Sequence, residues 1–245
     1  MGTDGFLGGG RMQQSGSRWH RAPGRVTPAW GILTVSAVLL LAMPALAVSA
    51  PESSLAAAID FSGSHAVFSL AGTPVATDYS EIGLTVRQWF IPDVLSLGIR
   101  GGYLNVTQDA NQDLHGSSLS GAYGGLDVDW HITWTSWFGF AAYGSETYHR
   151  ATAQFSGQPL RIRWFGFHAR MGPLVHIGFL SVGLGAFYRE AHGDRSVSAS
   201  SSVFSASQAG PFVSLALATG SHGRVKLVGE GGSWHTYLLS FRYGF

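Results

Sequence analysis

Histidine and serine are the side chains of this sequence equipped for covalent chemistry, so their spacing is the first place to look for a function. The 245-residue chain holds ten histidines and no cysteine. The lack of cysteine excludes a thiolate metal site, a cysteine nucleophile, a disulfide framework and a lipoprotein anchor. A hydrolase of the remaining kind needs a hydroxyl nucleophile, an imidazole base and a carboxylate or amide that orients the ring. Two local sets have those types: His65 with Ser69, and Ser233 with His235, with Glu230 close by in the chain. Neither lies in a Gly-x-Ser-x-Gly elbow. His149 and His192 fall near strand ends without metal-ligand spacing, so no metal and no cofactor is expected. A strand-end histidine more often sits at an interface or hydrogen-bonds, and the chain reads as non-enzymatic.

A second set of residues is suited to electrostatic work. Glu81, Arg87, Arg100, Asp127, Asp129, His131, His168, Arg170 and Arg242 share one face of alternating segments with Tyr143, Ser181, Ser214 and Ser240. The opposite face carries Leu95, Leu97 and Ile99, then Leu126, Val128, Trp130 and Ile132, then Phe165 and Phe167. It continues with Leu180, Val182, Leu184, Ala186 and Tyr188, and with Val213, Leu215 and Leu217. Mixed charges enclosed on one face are costly unless paired. The expectation is a salt-bridged plug, with a narrow polar path for ions or small solutes as the alternative. A third set, Arg150, Arg161, Arg163 and Arg189, with Arg195, falls near the longer connections, where a guanidinium can grip phosphate through two hydrogen bonds.

Strands must position these residues, because the apolar period is two and no amphipathic helix follows the N-terminal segment. Alternation predicts ten strands, at 58–71, 80–91, 94–105, 118–131, 135–149, 160–171, 174–189, 206–219, 223–229 and 234–245. Short connections at Ile91-Pro92-Asp93, Thr133-Trp134, Gly172-Pro173 and Gly220-Ser221-His222 alternate with longer polar ones at 72–79, 106–117, 150–159 and 190–205. The connection Glu230-Gly231-Gly232-Ser233 is a short exception on the long-loop side. Eight strands is the alternative, if the first segment is incomplete or 223–245 is one strand.

The N-terminus reads as an export signal. Arg11, Arg18, Arg21 and Arg25 precede an uncharged run from Trp30 to Met43, and Ala45-x-Ala47 supplies the small residues of a cleavage site. The run is shorter than the ~20 residues that span a bilayer. The domain reading is a signal peptide at 1–47, a short segment at 48–57 and a single β-domain at 58–245, with cleavage after Ala50 and a start at Met12 as variants. Four arginines and one aspartate leave with the signal, so the formal charge of +1 turns slightly negative. Nothing in that balance favours nucleic acid.

The last strand places Tyr237, Leu239, Phe241, Tyr243 and Phe245 on one face and ends the chain on an aromatic. This pattern resembles the closing strand of small bacterial outer-membrane β-barrels of the OmpA-like or porin-like kind. The resemblance implies an all-β, antiparallel up-and-down transmembrane β-barrel of about ten strands in the outer membrane, probed by periplasmic chaperones and the barrel-assembly machinery during biogenesis. It also implies contact with outer-membrane lipid and lipopolysaccharide, for which Arg150, Arg161, Arg163 and Arg189 are the candidates. Charged residues at 12% against aromatics at 13% fit an exterior that faces lipid. Trp130, Trp134, Trp137, Tyr243 and Phe245 gather at the short-turn end, as an interfacial girdle would. A monomeric barrel with a structural or surface-binding role is expected. The alternatives are a narrow passive channel and a lipid A or phospholipid hydrolase, since such barrel enzymes carry serine and histidine on the lipid-facing surface near the outer rim.

Overall fold

Ten antiparallel strands close into one ring. The structure, a computed structural model, describes residues 55–70, 72–108, 118–155, 157–197 and 200–245. The strands are β1 (Leu55–Leu70), β2 (Thr73–Ile91), β3 (Leu95–Gln108), β4 (Ser118–Thr133), β5 (Phe138–Phe155), β6 (Gln158–Ile177), β7 (Leu180–Val197), β8 (Ser200–Thr219), β9 (Gly223–Glu230) and β10 (His235–Gly244). Each pairs with the next, and β1 pairs with β10 to close the barrel. The export signal at 1–47 lies outside the described residues.

All ten expected strands form, but several connections differ. Gly172-Pro173 is not a turn. It lies inside β6, and the chain reverses at Gly178-Phe179, where Gly178 takes φ of +60°. Pro173 lacks an N–H, so the β6–β7 ladder stops after Met171↔Ala186 and resumes in the same register at Leu174↔Gly183. At the other end the strands reach farther than expected: the 72–79, 150–159 and 190–205 segments are largely strand, with β5–β8 spanning 18 to 20 residues each. The β-domain also starts earlier, at Leu55, whose carbonyl accepts the Phe245 N–H at 2.8 Å.

In the half nearest the short turns, polarity follows the membrane rule. Ile59, Phe61, Ile82, Leu84, Ile99, Leu126, Phe165, Leu184 and Leu215 face outward and are exposed. Trp134, Trp137, Phe179, Tyr243 and Phe245 ring the turn end, also exposed. Polar groups point inward. On β4 the non-polar outward positions run from Ala122 through Gly124 to Ile132, within the ~9–11 residues a tilted strand needs to cross a bilayer.

Beyond that belt the alternation changes phase. On β6 the outward residues become Arg163 and Arg161 while Trp164, Ile162 and Leu160 are buried inside. On β1, Phe61 gives way outward to His65 and Ser69, and Ala66 and Phe68 turn in. On β3, Leu104 and Val106 are fully buried and Asn105 and Thr107 face out. The outer third is thus built like a water-soluble barrel, with an apolar core of Phe68, Tyr79, Leu104, Leu119, Ile162, Trp164 and Phe204 among others.

Strand number falls at the same level. The β9–β10 hairpin ends part-way up, so β8 runs past it and meets β1 directly at Ser69↔Ser205 and Leu70↔Phe204. The ring has ten strands near the short turns and eight at this neck; the eight-strand barrel considered as the alternative is not formed, since β1 is complete and 223–245 holds two strands. The hairpin tip folds under the neck: Gly231 N–H donates to the Pro211 carbonyl at 3.0 Å, Gly232 takes φ of +128°, and Trp234 is buried edge-on to Phe68 and Tyr79.

Candidate functional site: a charged lumen beneath an apolar neck

Because side chains alternate, the inward parity of each strand decides which charges meet. All nine residues expected in the lumen point there: Glu81, Arg87, Arg100, Asp127, Asp129, His131, His168, Arg170 and Arg242. They group around three carboxylate centres. Nearest the turns, Arg87 donates to Asp127 and Asp129, each at 2.5 Å, and Asp129 also faces Arg242 at 3.3 Å and His131 at 3.5 Å. Midway, Glu230 lies 2.8 Å from Arg189, 2.9 Å from His168 and 3.6 Å from Arg170. The two arginine contacts are ionic, and the carboxylate oxygens lack hydrogen-bond alignment with all three groups. Highest, Glu81 meets His149 at 2.9 Å, Ser62 at 3.1 Å and Arg100 at 3.8 Å. Aromatic rings connect the tiers: Arg100 donates to the Tyr143 hydroxyl at 3.1 Å, the Arg170 guanidinium sits 4.3 Å from the Tyr143 ring centre, and His149 stacks on Trp164 at 4.4 Å.

Several placements correct the sequence reading. Arg189 is not at the rim. It shares inward parity with Phe187 and Ala191, and its guanidinium serves Glu230 beside Trp234. Arg195 turns inward for the same reason and is buried. Glu230 faces the lumen while His235 faces out, so Ser233, His235 and Glu230 do not assemble. Ser69 lies four residues along β1 from His65, roughly 13 Å at ~3.3 Å per residue, too far for a nucleophile and its base. The lumen is not polar throughout either, since an apolar core occupies its outer part. Two members of the network have roles other than those expected: Glu230, which gathers Arg189 and Arg170, and His149, whose odd position on β5 shares the inward parity of Tyr143 and Ser145.

Outside, Arg150, Arg161 and Arg163 project from the barrel just above the belt. Arg150 and Arg163 are register partners, immediately beyond the paired rings of Tyr148 and Phe165, whose centres lie 5.0 Å apart. Arg163 reaches Asp194 on β7 at 2.7 Å. On the other side, His65 Nδ1 lies 2.7 Å from Asp78, and its ring stacks on His235 at 5.0 Å. Gly63 leaves a shallow groove there of about 320 Å³, lined by Ser80, Asn105 and Tyr237. Among the described residues no cluster of histidine and carboxylate forms a metal site. Below the Arg87–Asp129 tier, a cavity of about 400 Å³ opens toward the short turns.

Fold and exterior together define the class: an up-and-down β-barrel with a lipid-facing belt, polar inside that belt and apolar inside the part above it. No family model and no curated protein sequence matches the chain. Among solved structures, Ail, the attachment invasion locus protein of Yersinia pestis, is similar at 11% identity over 80% of this chain and 100% of Ail, with a TM-score of 0.44. The translocator domain of the autotransporter NalP from Neisseria meningitidis is similar at 10% identity over 89% of this chain and 97% of that one, with a TM-score of 0.47. The outer membrane protease OmpT from Escherichia coli is similar at 8% identity over 79% and 96%, with a TM-score of 0.40. These likenesses stop at the level of a barrel and select no activity.

Proposed function

We propose that the chain is an integral outer-membrane β-barrel that conducts nothing and acts as a structural or surface-binding element, its lumen plugged by paired charges below and packed side chains above. The observation that carries this reading is the neck. Leu104, Leu119 and Leu160 are 0% exposed, with Trp164 at 3% and Trp234 at 5%, and this packing supports a closed lumen. The position of Arg150, Arg161 and Arg163 just above the Tyr148–Phe165 pair supports a contact with lipopolysaccharide phosphates in the outer leaflet. Folded protein inserted in planar bilayers gives no conductance steps, and Arg161→Gln with Arg163→Gln lowers co-purifying lipopolysaccharide several-fold. Reproducible steps refute the sealed barrel; unchanged lipopolysaccharide refutes the arginine contact.

A second reading, hydrolysis of lipid esters, is favoured by one observation. The His65–Asp78 pair lies where the apolar belt ends, and Ser80 sits opposite Gly63 at the floor of the adjoining groove. Incubation with phospholipid and lipopolysaccharide, followed by mass spectrometry, decides it: acyl loss abolished by His65→Ala supports hydrolysis, and unchanged lipid masses dismiss it.

A further inference from the structure

The cavity beneath the Arg87–Asp129 tier has an unbalanced wall. It carries four basic side chains, Arg170, Arg224, Lys226 and Arg242, against two carboxylates, Asp93 and Asp129. Both carboxylates are committed elsewhere or peripheral. Asp129 is held by Arg87 at 2.5 Å and by Arg242 at 3.3 Å, while Asp93 lies in the exposed β2–β3 turn. Arg170 leans to Glu230 at 3.6 Å. Arg224 and Lys226, two residues apart on the inward side of β9, have no carboxylate in ion-pair contact among the described residues. Arg224 moreover faces Arg242 as its register partner on β10. Like charges directly opposite on neighbouring strands repel, and an anion between them converts that repulsion into attraction.

The remaining wall fits an organic anion. Ser214 and Ser240 supply hydroxyl donors, Lys226 being the register partner of Ser240, and Trp89, Leu174 and Phe212 supply apolar surface. A volume of about 400 Å³ is at the small end of ligand sites. Two cations without carboxylates match a dianion, and guanidinium binds phosphate oxygens through paired hydrogen bonds. The β8–β9 and β9–β10 ladders run unbroken past Lys226, through Ala216 on one side and Ser240 on the other, so a diacyl lipid has no sideways entry. The mouth opens toward the short turns.

We propose that this vestibule binds a small soluble organic phosphate that enters from the periplasmic end. This goes beyond the sealed-barrel reading and rests on it only for the direction of entry, because the cations and their spacing stand whether or not the neck leaks. The test is calorimetric titration of the full barrel, refolded in non-ionic detergent, with glycerol 3-phosphate, inorganic phosphate and glycerol, and with micelles containing phosphatidylglycerol. Saturable one-to-one binding of glycerol 3-phosphate is expected, weakened tenfold or more by Lys226→Gln and by Arg224→Gln, with glycerol silent. Heat-modifiable gel migration verifies that each variant is folded, and Arg224→Gln, nearer the mouth, keeps the test intact if Lys226→Gln misfolds. Absence of saturable binding overturns the proposal, as does binding that neither substitution weakens. Equal affinity for inorganic phosphate overturns the organic specificity, and binding of the lipid micelles alone overturns the soluble source. Conductance is a separate readout: current through the neck refutes the seal and leaves the titration result standing.

Discussion

Replacing Arg87 by methionine distinguishes a dry plug from a water-filled lumen. Arg87 is the partner of two carboxylates at once, at 2.5 Å from each, and the three side chains are 6%, 2% and 4% exposed. Methionine keeps much of the volume and removes the charge. Asp127 then loses its ion-pair partner, and Asp129 keeps Arg242 at 3.3 Å and His131 at 3.5 Å. Breaking a buried pair from one side costs about 3–5 kcal/mol, because the stranded charge cannot be solvated. If water screens the lumen, the loss is that of a surface pair, about 0–1 kcal/mol. With a urea slope of about 2 kcal/mol per M, the dry case lowers the unfolding midpoint by roughly 2 M. Equilibrium unfolding in lipid vesicles, followed by tryptophan fluorescence, reads this directly. Adding Asp127→Asn to Arg87→Met recovers about 1 kcal/mol or more if the two groups are coupled. A loss below about 1 kcal/mol for Arg87→Met refutes the assignment of the lower lumen as desolvated.

Two further outcomes follow from the same packing. Trp164→Ala removes a side chain 3% exposed that stacks on His149 at 4.4 Å and packs against Tyr79, and lowers stability by about 3–5 kcal/mol in the same unfolding assay. A loss under about 1 kcal/mol would mean that the neck core is not packed as described. Deletion of Phe245, whose N–H closes onto the Leu55 carbonyl at 2.8 Å, slows appearance of the heat-modifiable folded form in cells while leaving refolding in detergent nearly unchanged. Equal slowing in both settings assigns Phe245 to barrel stability instead of recognition during assembly.

The ten strands were legible because each keeps one apolar face through the bilayer, and the lumenal charges were legible because they occupy the other. Arg189 and Glu230 were misplaced where sequence proximity to loops was allowed to outweigh parity. Once Tyr188 is assigned outward, Arg189 must face in, and Val228 and Glu230 likewise share one side of β9. The outer third failed for a deeper reason. Arg150, Ser201 and Ser205 read as loop residues because a single apolar phase was assumed along the whole strand. The contrary signal is present on β6, where Leu160, Ile162 and Trp164 occupy even positions and Phe165 and Phe167 odd ones. Which charges pair was not legible, since Arg87 on β2 and Asp129 on β4 are 42 residues apart and meet across the intervening β3, at a register the sequence does not state.

That change of phase also acts as a depth gauge. Greasy outward residues end and hydrophilic ones begin within a step or two of Phe61 on β1, Ile82 on β2, Tyr103 on β3, Tyr148 on β5, Phe165 on β6 and Tyr188 on β7. Sinking the barrel by two residues would draw Arg150 and Arg163 into hydrocarbon, at a penalty that grows from about 0–1 kcal/mol near the interface to about 2–4 kcal/mol per residue at the midplane. Rising by the same amount would strip lipid from the aromatic ring at the turns. The waterline is therefore written around the circumference, and it fixes both the height and the tilt at which the molecule floats.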